Sequence, residues 1–363
     1  MSVEIEAIKT IYNHLGDKGS KYIFEKRLIF SFIEDYSLIN DIVNTTKEGN
    51  VFLKALYAPR HGEKLIFGTG WWGKNIVKTY PEISFAGFVD NNIKNRECLG
   101  LPVFSFEKYL ESYRESTIII SSRLYYKEIF KQLIENGIKE ENIINFGQLE
   151  DALTKYAYFD LPELEKTRTN REFFIDAGAF DGMTSKAFIE WAKGNYIGLY
   201  AFEPDEVNAK KVHSALDDNL LNKSGGIIEK GLWNKTTTLH FLEGEGALSR
   251  IVETGDINVS TKTGLSKTIE VSVCSIDDIC KDEKISFIKM DIEGSEYEAL
   301  CGAEKTIKKN KPKLAISIYH KPEDIWKLPK VILDINPDYT LYLRHYSLAG
   351  EDTVLYAVSD KKI

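Results

Sequence analysis

Basic charge is in short supply in this chain, as are cysteine and long apolar runs. Against 55 acidic residues stand 47 lysines and arginines, a formal net charge of −8. Phosphate backbones are bound through a basic face, so this balance argues against a nucleic acid partner. Lys308-Lys309-Asn310-Lys311 reads as a solvated turn. The four cysteines, Cys98, Cys274, Cys280 and Cys301, form no C-x-x-C pair. That argues against structural zinc and against a disulfide framework, and it fits a reducing compartment. No basic segment followed by an apolar run is visible at the start, so no secretory signal is expected. No apolar stretch is long enough to cross a bilayer. A cytoplasmic location with no membrane span is expected.

What is present is an ordinary globular composition, 43% hydrophobic and 28% charged, over 363 residues, a length comfortable for two domains. Residues 1–61 read as a helical region, with Ile5, Ile8, Ile11, Tyr12 and Leu15 at helical spacing and further helices over Tyr22–Val43 and Phe52–Tyr57. His14 and His61 are expected at the surface rather than on a ligand.

Residues 62–148 read as a smaller Rossmann-like α/β domain. Lys64-Leu65-Ile66-Phe67 runs into Gly68-Thr69-Gly70-Trp71-Trp72-Gly73, a literal G-x-G-x-x-G, and the next strand ends on Asp90. Strand, glycine turn, helix, strand and acid are the parts of a dinucleotide fingerprint. Gly68, Gly70, Gly73 and Asp90 are therefore a candidate second nucleotide or nucleotide-sugar site. The bland alternative is that the glycines only let helix and strand pack closely. Residues 149–172 read as a linker.

The informative stretch is Phe173-Phe174-Ile175-Asp176-Ala177-Gly178-Ala179-Phe180-Asp181-Gly182-Met183-Thr184. A buried run ends at an acid, two glycines follow, and a helical pattern begins. Glycine there allows backbone N–H groups to approach a ligand, as at an S-adenosylmethionine site. Asp176 stands where a strand-end carboxylate meets a cationic or amino group. The next strand ends in Glu203-Pro204, an acid placed to accept both hydroxyls of a ribose. Leu232 and Trp233, after the strand-like Ile227-Ile228, are candidates to flank an adenine ring. A loop holding Gly244, Gly246, Ser249 and Gly264 is long enough for a lid or a substrate loop.

Ile288-Lys289-Met290-Asp291-Ile292-Glu293-Gly294-Ser295-Glu296 brings two carboxylates to another strand end. Asp291 and Glu293, two apart on an extended segment, share a face. They could orient a ligand's amino group, draw a proton from an acceptor, or bind a divalent cation with water. Glu296 reads as a first-turn helix charge. The strand Lys313–Tyr319 ends on His320, where a working pKa near neutrality suits a general base. His320, with Asp291 and Glu293, is the expected catalytic group. The last two strands, joined at Leu348-Ala349-Gly350-Glu351, read as a hairpin that reverses one strand.

These stretches, with Tyr342-Leu343-Arg344-His345-Tyr346-Ser347 and Val354-Leu355-Tyr356-Ala357, resemble the FkbM family of S-adenosylmethionine-dependent methyltransferases. The likeness covers residues 173–363, about half the chain. The family pattern carries Asn where this chain has Phe180. The resemblance implies a class I methyltransferase domain, a seven-stranded α/β sheet with its last hairpin antiparallel, using S-adenosylmethionine to methylate hydroxyls. It implies that Asp176, Gly178 and Gly182 hold the methionine part and Glu203 the ribose, with Ala179, Phe180, Asp181, Thr184, Pro204, Leu232, Trp233 and Asp291 also expected to bind the cofactor. Asp291 and Glu293 would face the reaction centre. A glycan, sugar or other small-molecule acceptor is the implied partner. A homo-oligomer and any metal are left open. The competing reading makes residues 62–148 a nucleotide-sugar-binding or NAD-dependent sugar-modifying unit, although no Tyr-x-x-x-Lys pair is present. A third reading gives residues 1–150 to partner docking.

Overall fold

Apolar runs with no alternating polar positions need cover on both faces, and such runs form the central strands of this protein. The computed structural model describes residues 2–59, 62–155, 157–220, 223–242, 250–252 and 268–359. Two units emerge: residues up to 21 with 158–344 and those from 354 onward, and residues 22–157 with 345–353.

The second of these holds a six-stranded sheet of β1 (Lys64–Phe67), β2 (Phe85–Val89), β3 (Glu97–Cys98), β4 (Leu101–Phe104), β5 (Thr117–Ile120) and β6 (Ile143–Ile144). Their order is β3-β4-β2-β1-β5-β6, with only the β3–β4 pair antiparallel. Leu65, Phe67, Val89, Ile118 and Ile120 pack with Tyr109, Ile129 and Leu133 in its core. The single helix expected over 22–43 is two, Lys18–Ile33 and Ser37–Val43. The break falls at Glu34, whose φ is +52°, and Asp35 accepts the N–H of Ser37. Glu150 is fully buried and accepts the N–H of Leu348 at 2.8 Å.

In the other unit β7 (Glu172–Ala177), β8 (Tyr196–Phe202), β9 (Ser224–Ile228), β14 (Phe287–Met290), β15 (Lys313–Ser317), β16 (Thr340–His345) and β17 (Thr353–Val358) make a seven-stranded sheet. Its order is β16-β17-β15-β14-β7-β8-β9. The five strands from β9 to β15 are parallel, and β17 runs antiparallel to β15. This is the class I methyltransferase sheet with its reversed strand. A separate sheet joins β10 (Gly231–Leu232), β11 (Thr237–Leu242), β12 (Arg250–Val252) and β13 (Thr268–Cys274) in the order β10-β13-β11-β12. The expected lid loop has β12 within it. Its remaining residues, Gly244, Gly246, Ser249 and Gly264 included, lie outside the described ones, as does His61.

The face of the seven-stranded sheet is sealed by aromatic packing. Phe174 stacks on Phe188 with centroids 4.3 Å apart, and Phe159, Trp191 and Phe287 close around them. Burying a side chain of this size contributes roughly 1.5–3 kcal/mol, so the cluster fixes the helix Met183–Trp191 against β7. That in turn sets the loop between them.

Candidate active site

Parallel strands deliver their ends to one edge, and the predicted site residues gather there, at the ends of β7, β8, β14 and β15. Asp176, expected to meet a cationic or amino group of the ligand, has a cationic partner within the protein. Its side chain is fully buried, accepts the Ser185 hydroxyl at 2.7 Å, and pairs with Lys289 at 3.1 Å. Lys289 Nζ also donates to the carbonyls of Ala177 and Gly178. An anion at a buried strand end needs a partner, and Lys289, directly across in register, supplies it.

The glycine loop is likewise tied to the protein rather than left open. Gly178 and Ala179 both donate their N–H to the carbonyl of Phe202, and Gly182 donates to Ala179. Glycine is needed at 178 for shape: φ is +77°, and a Cβ there would collide with the carbonyl of Asp291. Gly182 has φ +80° and opens the helix. Asp181 accepts the N–H of Met183, Thr184 is half-buried on the first turn, and Ala179 is buried. Phe180 stands 59% exposed with φ +52°, under Lys211.

At the tip of β8, Glu203 is 6% exposed. Its Oε2 accepts Phe180 N–H at 2.9 Å and its Oε1 accepts Asp205 N–H at 3.0 Å. One lone pair on each oxygen remains, which suits two vicinal hydroxyls. Pro204 is exposed behind it. The two adenine-flanking candidates lie past the end of β9. β9 stops at Ile228, so Glu229 and Lys230 stand at its tip. Leu232 is buried in β10, and the Trp233 N–H is bonded to Cys274 of β13.

Asp291, Glu293 and His320 do come together. Asp291 Oδ2 accepts the Tyr158 hydroxyl at 2.8 Å, and its Oδ1 lies 3.4 Å from His320 Nε2, with the Tyr319 hydroxyl at 3.5 Å. Glu293 Oε2 is 3.7 Å from the same nitrogen, on a side chain 78% exposed. Its φ is +55°. Partial withdrawal from water raises the Glu293 carboxyl, against the pull of His320 and with Asp291 and Glu296 adding to the rise. Glu296, expected as a solvated helix charge, is 1% exposed, with Oε1 accepting Ile292 N–H at 2.8 Å and lying 3.1 Å from His320 Nδ1. Burial alone would lower the His320 pKa. The carboxylates of Glu296, Asp291 and Glu293 outweigh it and push the ring up to about 9, above the near-neutral value expected there. Asp324 adds a fourth acid, raised to about 6 by burial and by Glu296.

The other glycine loop is self-contained. Gly68 has φ +116°, and a Cβ on Gly73 would collide with the Gly68 carbonyl, so helix and strand touch there. Gly70 caps the helix Trp71–Thr79 and has open space around it. Asp90 spends Oδ2 on the Thr69 N–H and hydroxyl, at 2.9 and 2.6 Å, and Oδ1 on Asn92 N–H. Burial would raise its pKa, but these bonds hold it below the usual range. The carboxylate expected on a ribose closes its own loop.

Residues 176–346 match the methyltransferase FkbM domain. This FkbM domain makes the chain an S-adenosylmethionine-dependent methyltransferase, with S-adenosylmethionine as its cofactor. Residues 62–144 match the C2185-like N-terminal domain. No curated protein matches. Among solved structures, methyltransferase FkbM of Methylobacillus flagellatus is 21% identical, with 89% of this chain and 100% of that one covered and a TM-score of 0.48. The O-methyltransferase of Bacillus cereus, in complex with SAH, is 12% identical over 58% and 88%, TM-score 0.31. A SAM-dependent methyltransferase of Aquifex aeolicus is 14% identical over 58% and 95%, TM-score 0.30.

Within the FkbM domain, sequence reasoning passes over Lys289, Ser185, Tyr319 and Glu296. A lysine inside the apolar run Phe287–Met290 is itself a signal, since burying that charge requires an acid nearby. Tyr158 precedes the domain, in the stretch read as linker, and nothing local marks it.

Proposed function

We propose that the FkbM domain methylates a hydroxyl oxygen on a sugar, a glycan or a nucleotide-linked sugar. The observation that carries this reading is the cluster of acceptors at the ends of β14 and β15, next to the loop 178–182 and Glu203. A polyhydroxyl acceptor is recognised by carboxylates that accept its O–H groups, and Asp291, Glu293 and the phenols of Tyr158 and Tyr319 are such a set.

Glu203 suits the ribose of the cofactor through its two remaining lone pairs, and the loop 178–182 suits the methionine part. The bound cofactor supplies an electrophilic methyl group on a sulfonium. The chain's own task is to hold an acceptor oxygen in line with it and exclude water, an alignment that can contribute ~7–11 kcal/mol. Asp291, its Oδ2 held by Tyr158, orients the hydroxyl. Glu293, exposed and raised above the ordinary carboxyl range, takes the proton as the oxygen attacks.

The test is incubation with methyl-labelled cofactor and a panel of monosaccharides and nucleotide sugars, with product sites read by NMR. Glu293→Gln lowers turnover ~10²–10⁴-fold with SAH affinity kept. Label found on nitrogen or carbon, or full turnover by Glu293→Gln, overturns the reading.

A further inference from the structure

We propose that Asp291, Glu296 and His320 form a binding site for a divalent transition-metal cation, with Mn²⁺ the probe. One ligand atom from each residue lies within 4.8 Å of the others. This deepens the hydroxyl-methylation reading, because the same edge receives the acceptor.

Three observations point to a cation rather than to a closed structural cluster. His320 is 9% exposed, yet among the described residues neither ring nitrogen has a partner in good hydrogen-bond geometry. The approaches to Glu296 and Asp291, 3.1 and 3.4 Å, are ion-pair distances without hydrogen-bond alignment. Among the described residues no donor reaches the buried Glu296 Oε2, an unmet acceptor of the kind that costs about 1–3 kcal/mol. Finally, each carboxylate has its other oxygen held: Asp291 Oδ2 by Tyr158, and Glu296 Oε1 by the Ile292 N–H. Metal ligands are oriented in this way by partners behind them.

The donor set narrows the ion. One imidazole nitrogen with two carboxylate oxygens suits Mn²⁺, Fe²⁺ or Zn²⁺ better than Ca²⁺, which takes oxygen alone. Three protein ligands leave positions open on such an ion. Glu293, 78% exposed, flanks the open side. An acceptor with two neighbouring hydroxyls could fill those positions, its oxygens oriented and acidified by the ion.

The experiment is calorimetry of the full chain, stripped with chelator, titrated with MnCl₂ and separately with SAH. One Mn²⁺ site per chain is expected, with ¹⁴N coupling from the His320 ring in the electron-spin-echo spectrum of the bound ion. His320→Ala and Asp291→Asn each weaken Mn²⁺ binding at least ~10-fold and abolish or alter that coupling while SAH still binds. Because Glu296 is buried, Glu296→Gln can fail to fold, and the more exposed Asp291→Asn keeps the test decisive. Normal SAH binding with no Mn²⁺ or Zn²⁺ binding overturns the site, as does unchanged Mn²⁺ affinity in His320→Ala. Mn²⁺ binding with no methylated hydroxyl in any product overturns the proposed function and leaves the cation site standing.

Discussion

Lys289 Nζ and Asp176 Oδ1 lie 3.1 Å apart in the core of the seven-stranded sheet, on neighbouring strands and in register. The pair does more than neutralise itself, because Nζ also holds the carbonyls of Ala177 and Gly178 where the strand becomes the glycine loop. Removing the cation alone leaves Asp176 buried and uncompensated. Lys289→Met is expected to cost roughly 3–5 kcal/mol in urea unfolding, and adding Asp176→Leu recovers part of it. Full recovery is not expected, since the two carbonyls and Ser185 stay without their partners.

Glu203 makes a sharper test of the cofactor crevice. Both its oxygens accept backbone N–H groups, so Glu203→Gln turns an NH₂ toward one of those donors and loses a charge-assisted acceptor. About 1.5–3 kcal/mol is at stake, or roughly 10–100-fold in affinity. Calorimetry with SAH should show that weakening, and urea unfolding a lower midpoint, because one backbone N–H also loses its acceptor.

Phe180 occupies a left-handed conformation, φ +52°, that a phenyl-bearing residue rarely adopts. Phe180→Asn relieves a cost of roughly 1–2 kcal/mol at that position. The variant is expected to unfold at higher denaturant while keeping the N–H that Glu203 accepts.

Acid–base behaviour singles out Glu150. Its burial, with Asp352 nearby, raises the carboxyl from 4.5 to about 8, against the Leu348 N–H and Ser347 that favour the charged form. The folded chain therefore keeps a proton that the unfolded chain releases near 4.5, and stability falls as pH rises between about 4.5 and 8. Urea unfolding at pH 5 and pH 8 should show that fall, and Glu150→Gln should flatten it.

Much of the sheet is legible in the sequence because its strands are continuous apolar runs: Thr117–Ile120 and Phe173–Ile175 can hardly be read otherwise. The short strands β3 and β4 escape notice because Pro102 and exposed positions blur them. The helix Asp324–Ile335 has Pro329 inside it, which masks its periodicity. The start of β9 is missed because it begins at Ser224-Gly225-Gly226, glycines that do not look like a strand. In the candidate site, the positions of Asp291, Glu293 and His320 at strand ends are legible from strand length alone. The raised pKa of His320 is not, since it depends on Glu296 turning inward, six residues beyond the end of β14, where nothing hints at burial.

The chain's itinerary carries a consequence for its synthesis. One unit joins residues up to 21 with 158–344 and those from 354 onward, and the other needs residues 345–353 to be complete. Domains made of one uninterrupted segment can fold as they leave the ribosome. Here neither unit has all its parts until residues 345–353 and the strand Thr353–Val358 have been made, so neither can complete its packing before then.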